Sequence, residues 1–249
     1  MDPENLKALW KRCFPQDTDS FIDFYFKEVY REEESLVHIE NGQVVAFLQM
    51  ISYNIKIGKT IHPSIYLSGV MTHPDYRRKG YMNQLLQKAF DEMKCRKKAF
   101  VFLIPQEEYL FDFYAKFGFE RAFPSPIFGK FNRKKWQHPS VQIYRNINEI
   151  DVNQFYTIYS EGLNSIENVV LKSKQQFTNQ LWDFFNDGGI LLVKEEEMAF
   201  VNIYNEQIEL KECFCSAMKI EMGKSYRAMI KSLNGSVPEK NIYMTQMLN

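Results

Sequence analysis

The stretch Leu67–Leu86, LSGVMTHPDYRRKGYMNQLL, decides the fold. Ile65–Thr72 reads as a strand that contains Gly69 and stops at Pro74, whose ring removes a backbone donor and turns the chain off a ladder. From Met82 the apolar residues Met82, Leu85, Leu86, Ala89, Phe90 and Met93 recur at helical spacing, so a helix begins there and buries one face. Arg77, Arg78, Lys79 and Gly80 lie between strand and helix. A helix N-terminus offers unpaired N–H groups and the positive end of its dipole, and cations beside it would neutralise a diphosphate. Gly80 matters because a side chain there would hold a phosphate away from the backbone. A basic turn with one glycine is, alone, an ordinary solvated loop; strand, proline, basic loop, glycine and periodic helix together select the anion site.

Outward from this segment the pattern alternates. Ala99–Pro105, AFVFLIP, is a short apolar run suited to a buried strand. Tyr109–Phe117 places Leu110, Phe113, Tyr114 and Phe117 on one helical stripe, Gly118 supplies a left-handed stop, and Phe119 restarts a strand. Upstream, Leu36–Ile39 and Val44–Ile57 read as strands around Asn41-Gly42, a pair suited to a tight hairpin. Two helical patterns, Asn5–Phe14 and Ser20–Tyr30, open the chain. On spacing alone Tyr114 is a core tyrosine with a satisfied hydroxyl.

The segment Arg77-x-x-Gly80-x-Met82 resembles the acetyl-CoA loop of the GNAT acetyltransferases, whose pattern is Arg/Gln-x-x-Gly-x-Gly/Ala after a strand ending near a proline. Met82 departs from the general pattern in the way of the branch containing the enhanced intracellular survival proteins. The resemblance implies an α/β fold with a mixed sheet, acetyl-CoA as cosubstrate and a primary amine as acceptor. It places Val70, Met71 and Thr72 against the pantetheine arm and thioester, and Arg77, Arg78, Lys79, Gly80, Tyr81 and Met82 against the diphosphate. FYAKFGF, residues 113–119, resembles the same fold's second half, where the tyrosine matching Tyr114 protonates the departing thiolate. The two N-terminal helices would flank the acceptor cleft. Glu32–Glu34 after them would attract a cationic amine or simply form a solvated helix end, and Glu107 and Glu108 are candidate bases or a solvated first turn.

Past Phe119 the sequence turns to FPSPIFGKFNRKKWQHPS, read as a linker over residues 123–140 between a first domain, 1–122, and a second, 141–249. The second half echoes the first: helical stretches Ile147–Gly162 and Lys174–Asn186, then strands Ile190–Lys194, Met198–Tyr204 and Ile208–Cys215. Met222, Tyr226, Met229, Ile230 and Leu233 fit one face of a further helix, and Ile242–Leu248 alternates as a last strand. SAMKIEMGKSY stands where the phosphate loop would recur, with Gly223 and Lys224 but no basic triplet before the glycine. The expected fold is therefore a tandem GNAT fold with a degenerate second copy. It resembles the enhanced intracellular survival family without that family's C-terminal sterol-carrier-like domain, for which a chain ending at Asn249 lacks length.

Composition bounds the remainder. Thirty-one basic and thirty-one acidic residues cancel, giving no global field for nucleic acid or an anionic membrane. No apolar run reaches spanning length, so a cytoplasmic protein is expected. Cys13, Cys95, Cys213 and Cys215 form no secreted disulfide framework, and the four histidines show no metal-type spacing, so reduced thiols and no metal are expected. The second half would shape the acceptor pocket or a homo-oligomer interface. The rival reading from another class is a non-catalytic acyl-CoA-binding or sensing module.

Overall fold

The computed structural model describes residues 2–127, 133–204, 207–214, 221–237, 241–245 and 247. The chain divides into two compact units, one of Met1–Asn54, His62–Glu120 and Ala228–Pro238, the other of Ile55–Ile61, Arg121–Arg227 and Glu239–Asn249.

In the first unit, α1 (Pro3–Cys13) begins at Asp2, whose carboxylate accepts from Glu4 N at 3.0 Å, and α2 (Asp19–Phe24) begins at Thr18, whose hydroxyl accepts from Phe21 N. A π-helical turn, Tyr25–Val29, prolongs α2. The hairpin of β1 (Ser35–Glu40) and β2 (Gln43–Ile57) turns at Asn41 and Gly42, both with positive φ, as the Asn-Gly pair requires. Next to β2 lies β3 (Thr60–Thr72), and parallel to β3 runs β4 (Phe100–Leu103). Two helices, α3 (Tyr81–Cys95) and α4 (Glu108–Ala115), cover this sheet. Leu85, Leu86, Ala89, Phe90 and Met93 of α3 pack with Leu48, Ile65, Val101 and Leu103 in one core. Each of the larger of these contributes roughly 1.5–3 kcal/mol by leaving water.

Residues 222–233 are not helical. They form β11 (Glu221–Ser232), whose Met229–Ser232 pair antiparallel with Phe100–Leu103. Ala228, Met229 and Ile230 are all buried, so both faces of the strand are covered, and an apolar run of that kind cannot be told from a helix by periodicity. The unpaired edge of β4 decides the outcome.

In the second unit, β5 (Glu120–Ile127) neighbours β11, so residues 123–127 of the stretch read as a linker are strand; Lys130 lies outside the described residues, and α5 (Arg133–Trp136) follows. A four-stranded antiparallel sheet takes the order β10 (Gln207–Phe214), β9 (Glu197–Tyr204), β8 (Ile190–Lys194), β6 (Gln142–Tyr144). Against it pack α6 (Val152–Asn164), capped by Asp151, and α7 (Lys174–Asn186), opened by the Ser173/Gln176 capping box. The short β7 (Asn168–Leu171) pairs with β2, and Val169 bridges to Tyr243. That single bridge is what the described residues show of the strand expected over 242–248. Cys215 lies outside the described residues, as do Ser216–Ile220 of the expected loop counterpart. Cys13 and Cys95 are free thiols. No helix among the described residues is long and apolar enough to cross a membrane.

The core of the second unit holds a lysine. Lys172 is 4% exposed, and its Nζ donates to Gln180 Oε1 at 2.7 Å and to Thr245 Oγ1, while Gln180 Nε2 donates to Glu212 Oε2 at 3.5 Å. Burial pushes the Lys172 ammonium down to about 7, with the Glu212 charge opposing and Arg227 assisting. The folded value therefore lies below the unfolded one, and between them the unfolded chain binds the extra proton. Stability should rise with pH from about 7 toward 9.5, by up to about 1.4 kcal/mol per pH unit for one proton. Urea unfolding across that window should show this rise in the native chain and a flatter profile in Lys172→Met; identical profiles would contradict the assignment.

Candidate functional site

The loop between β3 and α3 is built around two left-handed residues. His73 Nδ1 accepts from Asp75 N, Pro74–Tyr76 form one 3-10 turn, and the chain then passes through Arg78 at φ +63° and Gly80 at φ +84°. A non-glycine residue with positive φ is strained, and Arg78 is held there with its side chain exposed. Gly80 is the N-cap of α3 and supplies no side-chain bond; open space surrounds the position its Cβ would occupy. Where α1, α2, α6 and α7 are closed by Asp, Thr, Asp and Ser side chains, the first-turn N–H groups of α3 are left to an outside acceptor. No side chain caps α4 either, but Glu107 and Glu108 stand at its start and would repel an anion.

The expected cofactor residues divide by what their side chains do. Arg77 donates from Nε to the Thr72 carbonyl at 3.2 Å, and the Cys13 thiol donates to the same oxygen, so α1, the end of β3 and the loop are fastened at one point. Burial pushes the Cys13 thiol up, with Arg77 opposing, which disfavours a nucleophilic thiolate. Lys79 lies over the Tyr76 ring at 4.6 Å, and it and Arg78 are both exposed cations beside the glycine. The Tyr81 ring turns away from the loop, stacks on His38 at 4.0 Å and bonds Glu40, so what it offers an anion is its N–H. Val70 and Met82 pack on the same core as Tyr114, whereas Met71 is buried outside that core.

The pairing of β3 with β4 ends at Tyr66 and Phe102, although β3 runs on to Thr72. The strands thus part over Leu67–Gly69, ahead of Val70, Met71 and Thr72. Gly69 accompanies this parting: its φ is +58°, and a Cβ would lie 2.9 Å from Trp10 Cζ3 and 3.0 Å from Phe47 Cε1. Beside it, the Tyr25 hydroxyl lies 2.9 Å from both Gln49 Oε1 and Ser68 Oγ, and Gln49 Nε2 donates to Val29 O. This buried network ties the π-helical turn to β2 and β3; turns of that kind are frequent at functional sites.

Tyr114 is 6% exposed on α4, edge-on to Phe113 and Phe119. Burial pushes its hydroxyl above the usual tyrosine range, with Tyr66 and Tyr109 adding to the shift, so it is a neutral phenol at physiological pH. Tyr66, at the last paired position of β3, is its electrostatic neighbour and was not legible as a site residue. Glu107 and Glu108 are exposed. In the acidic triplet, a 3-10 turn, Arg96 at the far end of α3 donates to the Glu33 carbonyl, a structural contact. A pocket of about 380 Å³ opens beside His73, lined by Asn5, Ala8, Leu9, Arg12, Gly42, Gln43 and Val44, but neither Tyr114 nor Arg77–Met82 lines it.

Residues 2–122 match the family model described as the acetyltransferase (GNAT) domain. This region is a GNAT domain. The likeness of fold runs on through both units. Eis1 from Mycobacterium abscessus is similar over 94% of this chain and 72% of its own, with TM-score 0.68 and 9% identity. A GCN5-related N-acetyltransferase from Kribbella flavida matches over 91% and 67%, with TM-score 0.66 and 13% identity. A probable N-acyltransferase of unknown function from Enterococcus faecalis matches over 86% of this chain, with TM-score 0.64 and 12% identity, and this chain spans 55% of it. At these identities the likeness is one of fold: the tandem, mixed α/β GNAT architecture expected from the sequence. Comparison with curated proteins by sequence finds no match. Among the described residues of the second unit no loop-and-helix counterpart to Arg77–Cys95 follows β10; Gly223 and Lys224 stand on β11.

Gly69 is the position where the site's geometry tolerates no side chain. Gly69→Ala should destabilise the fold by roughly 1–3 kcal/mol, from the left-handed backbone and from contact with Trp10 and Phe47. Urea unfolding midpoints of the two proteins test this, and equal midpoints would show that the aromatic wall yields freely.

Proposed function

We propose that the chain is an N-acetyltransferase that moves the acetyl group of acetyl-CoA to a primary amine by direct attack. The observation that carries the proposal is the bare start of α3: a left-handed glycine cap, open space above it, and Arg78 exposed alongside. In this reading the diphosphate of acetyl-CoA accepts from the N–H groups of the first turn, with Arg78 and Lys79 neutralising charge. The pantetheine arm follows the free part of β3, Val70–Thr72, in the gap that opens beyond Tyr66. The amine lone pair attacks the thioester carbon, the C–S bond breaks, and the sulfur takes up a proton while the amine nitrogen loses one to a base or water chain. Tyr114, kept protonated by its surroundings, is the donor to sulfur. Free thiols at Cys13 and Cys95 support a cytoplasmic setting.

Calorimetric titration with acetyl-CoA tests the loop. It should give one molecule bound per chain, weaker binding in Arg78→Ala, and the larger loss in Gly80→Asp, which adds both a side chain and a negative charge. Unchanged affinity in both variants would remove the site.

Tyr114→Phe tests the chemistry, since Phe keeps the ring in its core. Acetyl-CoA affinity should hold while turnover falls on the order of 10²–10⁴-fold. Because Tyr114 titrates above the usual value of about 10, the loss should be the same at every pH from 6 to 9. Full activity in the variant would make Tyr114 a core residue only. Its burial also suits the binding-module reading, which requires acetyl-CoA to bind with no amine-stimulated thiol release.

A further inference from the structure

The core of the second unit contains polar atoms that its fold leaves without a task. Arg227, on β11, is partly buried as a residue, yet its Nε and Nη2 are shut away from solvent with no hydrogen-bond partner among the described residues. Those two nitrogens form the side-on edge of the guanidinium, whose parallel N–H groups match the two oxygens of a carboxylate. Tyr243 is fully buried, and its hydroxyl also lacks a partner. Arg227 and Tyr243 act on one another and on Glu212 electrostatically, and Lys172 acts with the same Glu212 and Arg227. Lys172, Arg227 and Tyr243 therefore all lie within electrostatic reach of Glu212. Glu212 is the acidic neighbour, but Arg227 Nε and Nη2 make no bond to it.

A buried donor without an acceptor is costly, and this cluster gathers several of them. The structure assigns to it a binding site for a small monocarboxylate, with the two oxygens on Arg227 Nε–H and Nη2–H and a further bond from the Tyr243 hydroxyl. At pH 6, the pH of the test below, Lys172 holds its proton, and the charge count favours a monoanion: Lys172 and Arg227 against Glu212 leave one positive charge, which a carboxylate cancels and a dianionic phosphate would overshoot. The site lies wholly in the unit that has no phosphate loop, and it stands whether or not the chain transfers acetyl groups.

Calorimetric titration and thermal unfolding of the full chain at pH 6 with sodium acetate, at ionic strength held constant by sodium chloride, test the assignment. Acetate should bind saturably, once per chain, and raise the unfolding midpoint, with the same occupancy in Gly80→Asp. Arg227→Lys keeps the charge but removes the two-donor edge and should weaken acetate binding at least ten-fold. Tyr243→Phe keeps the ring and should weaken it several-fold, a readout that survives if the Arg227 variant does not fold. An acetate effect no greater than that of chloride, unaltered acetate affinity in the Tyr243 variant, or preferential binding of inorganic phosphate would overturn the proposal.

Discussion

The start of α3 depends on one backbone constraint: the chain must be left-handed at Gly80 so that the helix begins without a capping side chain. A Ser or Asp there would satisfy one of the orphan N–H groups from within, as happens in α1 and α7, and would close the end of the helix. Glycine leaves it open. The rest of the first unit holds that opening in place, with the apolar face of α3 locked into the sheet core and the Thr72 carbonyl fastened by Arg77 and Cys13. Arg78, strained at positive φ, is carried by the same loop.

A second constraint acts at Gly69. The strand that feeds the loop must leave its neighbour after Tyr66 and still stay packed, and a residue without Cβ allows the Trp10 and Phe47 rings to close on the backbone there. The Tyr25–Gln49–Ser68 network then holds the N-terminal helices against the same place. Parting strands, bare helix end and buried phenol belong to one unit, and Tyr114, Val70 and Met82 pack on one continuous core.

Much of this was legible in the sequence for identifiable reasons. The elements of the first half are long, periodic and punctuated by Pro74, Gly80 and Gly118, and local rules suffice for such segments. Gly80 was legible as the residue between loop and helix because spacing alone puts it between cations and a periodic segment. What stayed hidden depends on distant partners. Strand β11 exists because β4 offers an edge more than a hundred residues earlier in the chain, and its apolar spacing suits a helix equally well. Strands β6 and β7 are three and four residues long and carry too little pattern to be read. Tyr66 and the Lys172–Glu212–Arg227–Tyr243 cluster become visible only when the fold brings together residues that sequence keeps far apart.

The central claim is that the N–H groups at the start of α3 receive a diphosphate. Backbone amide NMR of the labelled chain, titrated with CoA and separately with pantetheine, which has no diphosphate, addresses it at the atoms concerned. The account predicts that CoA moves the Gly80, Tyr81, Met82 and Asn83 amide resonances strongly and that pantetheine leaves them nearly in place. Saturating CoA with those four resonances unmoved, and shifts confined to other segments, would contradict it.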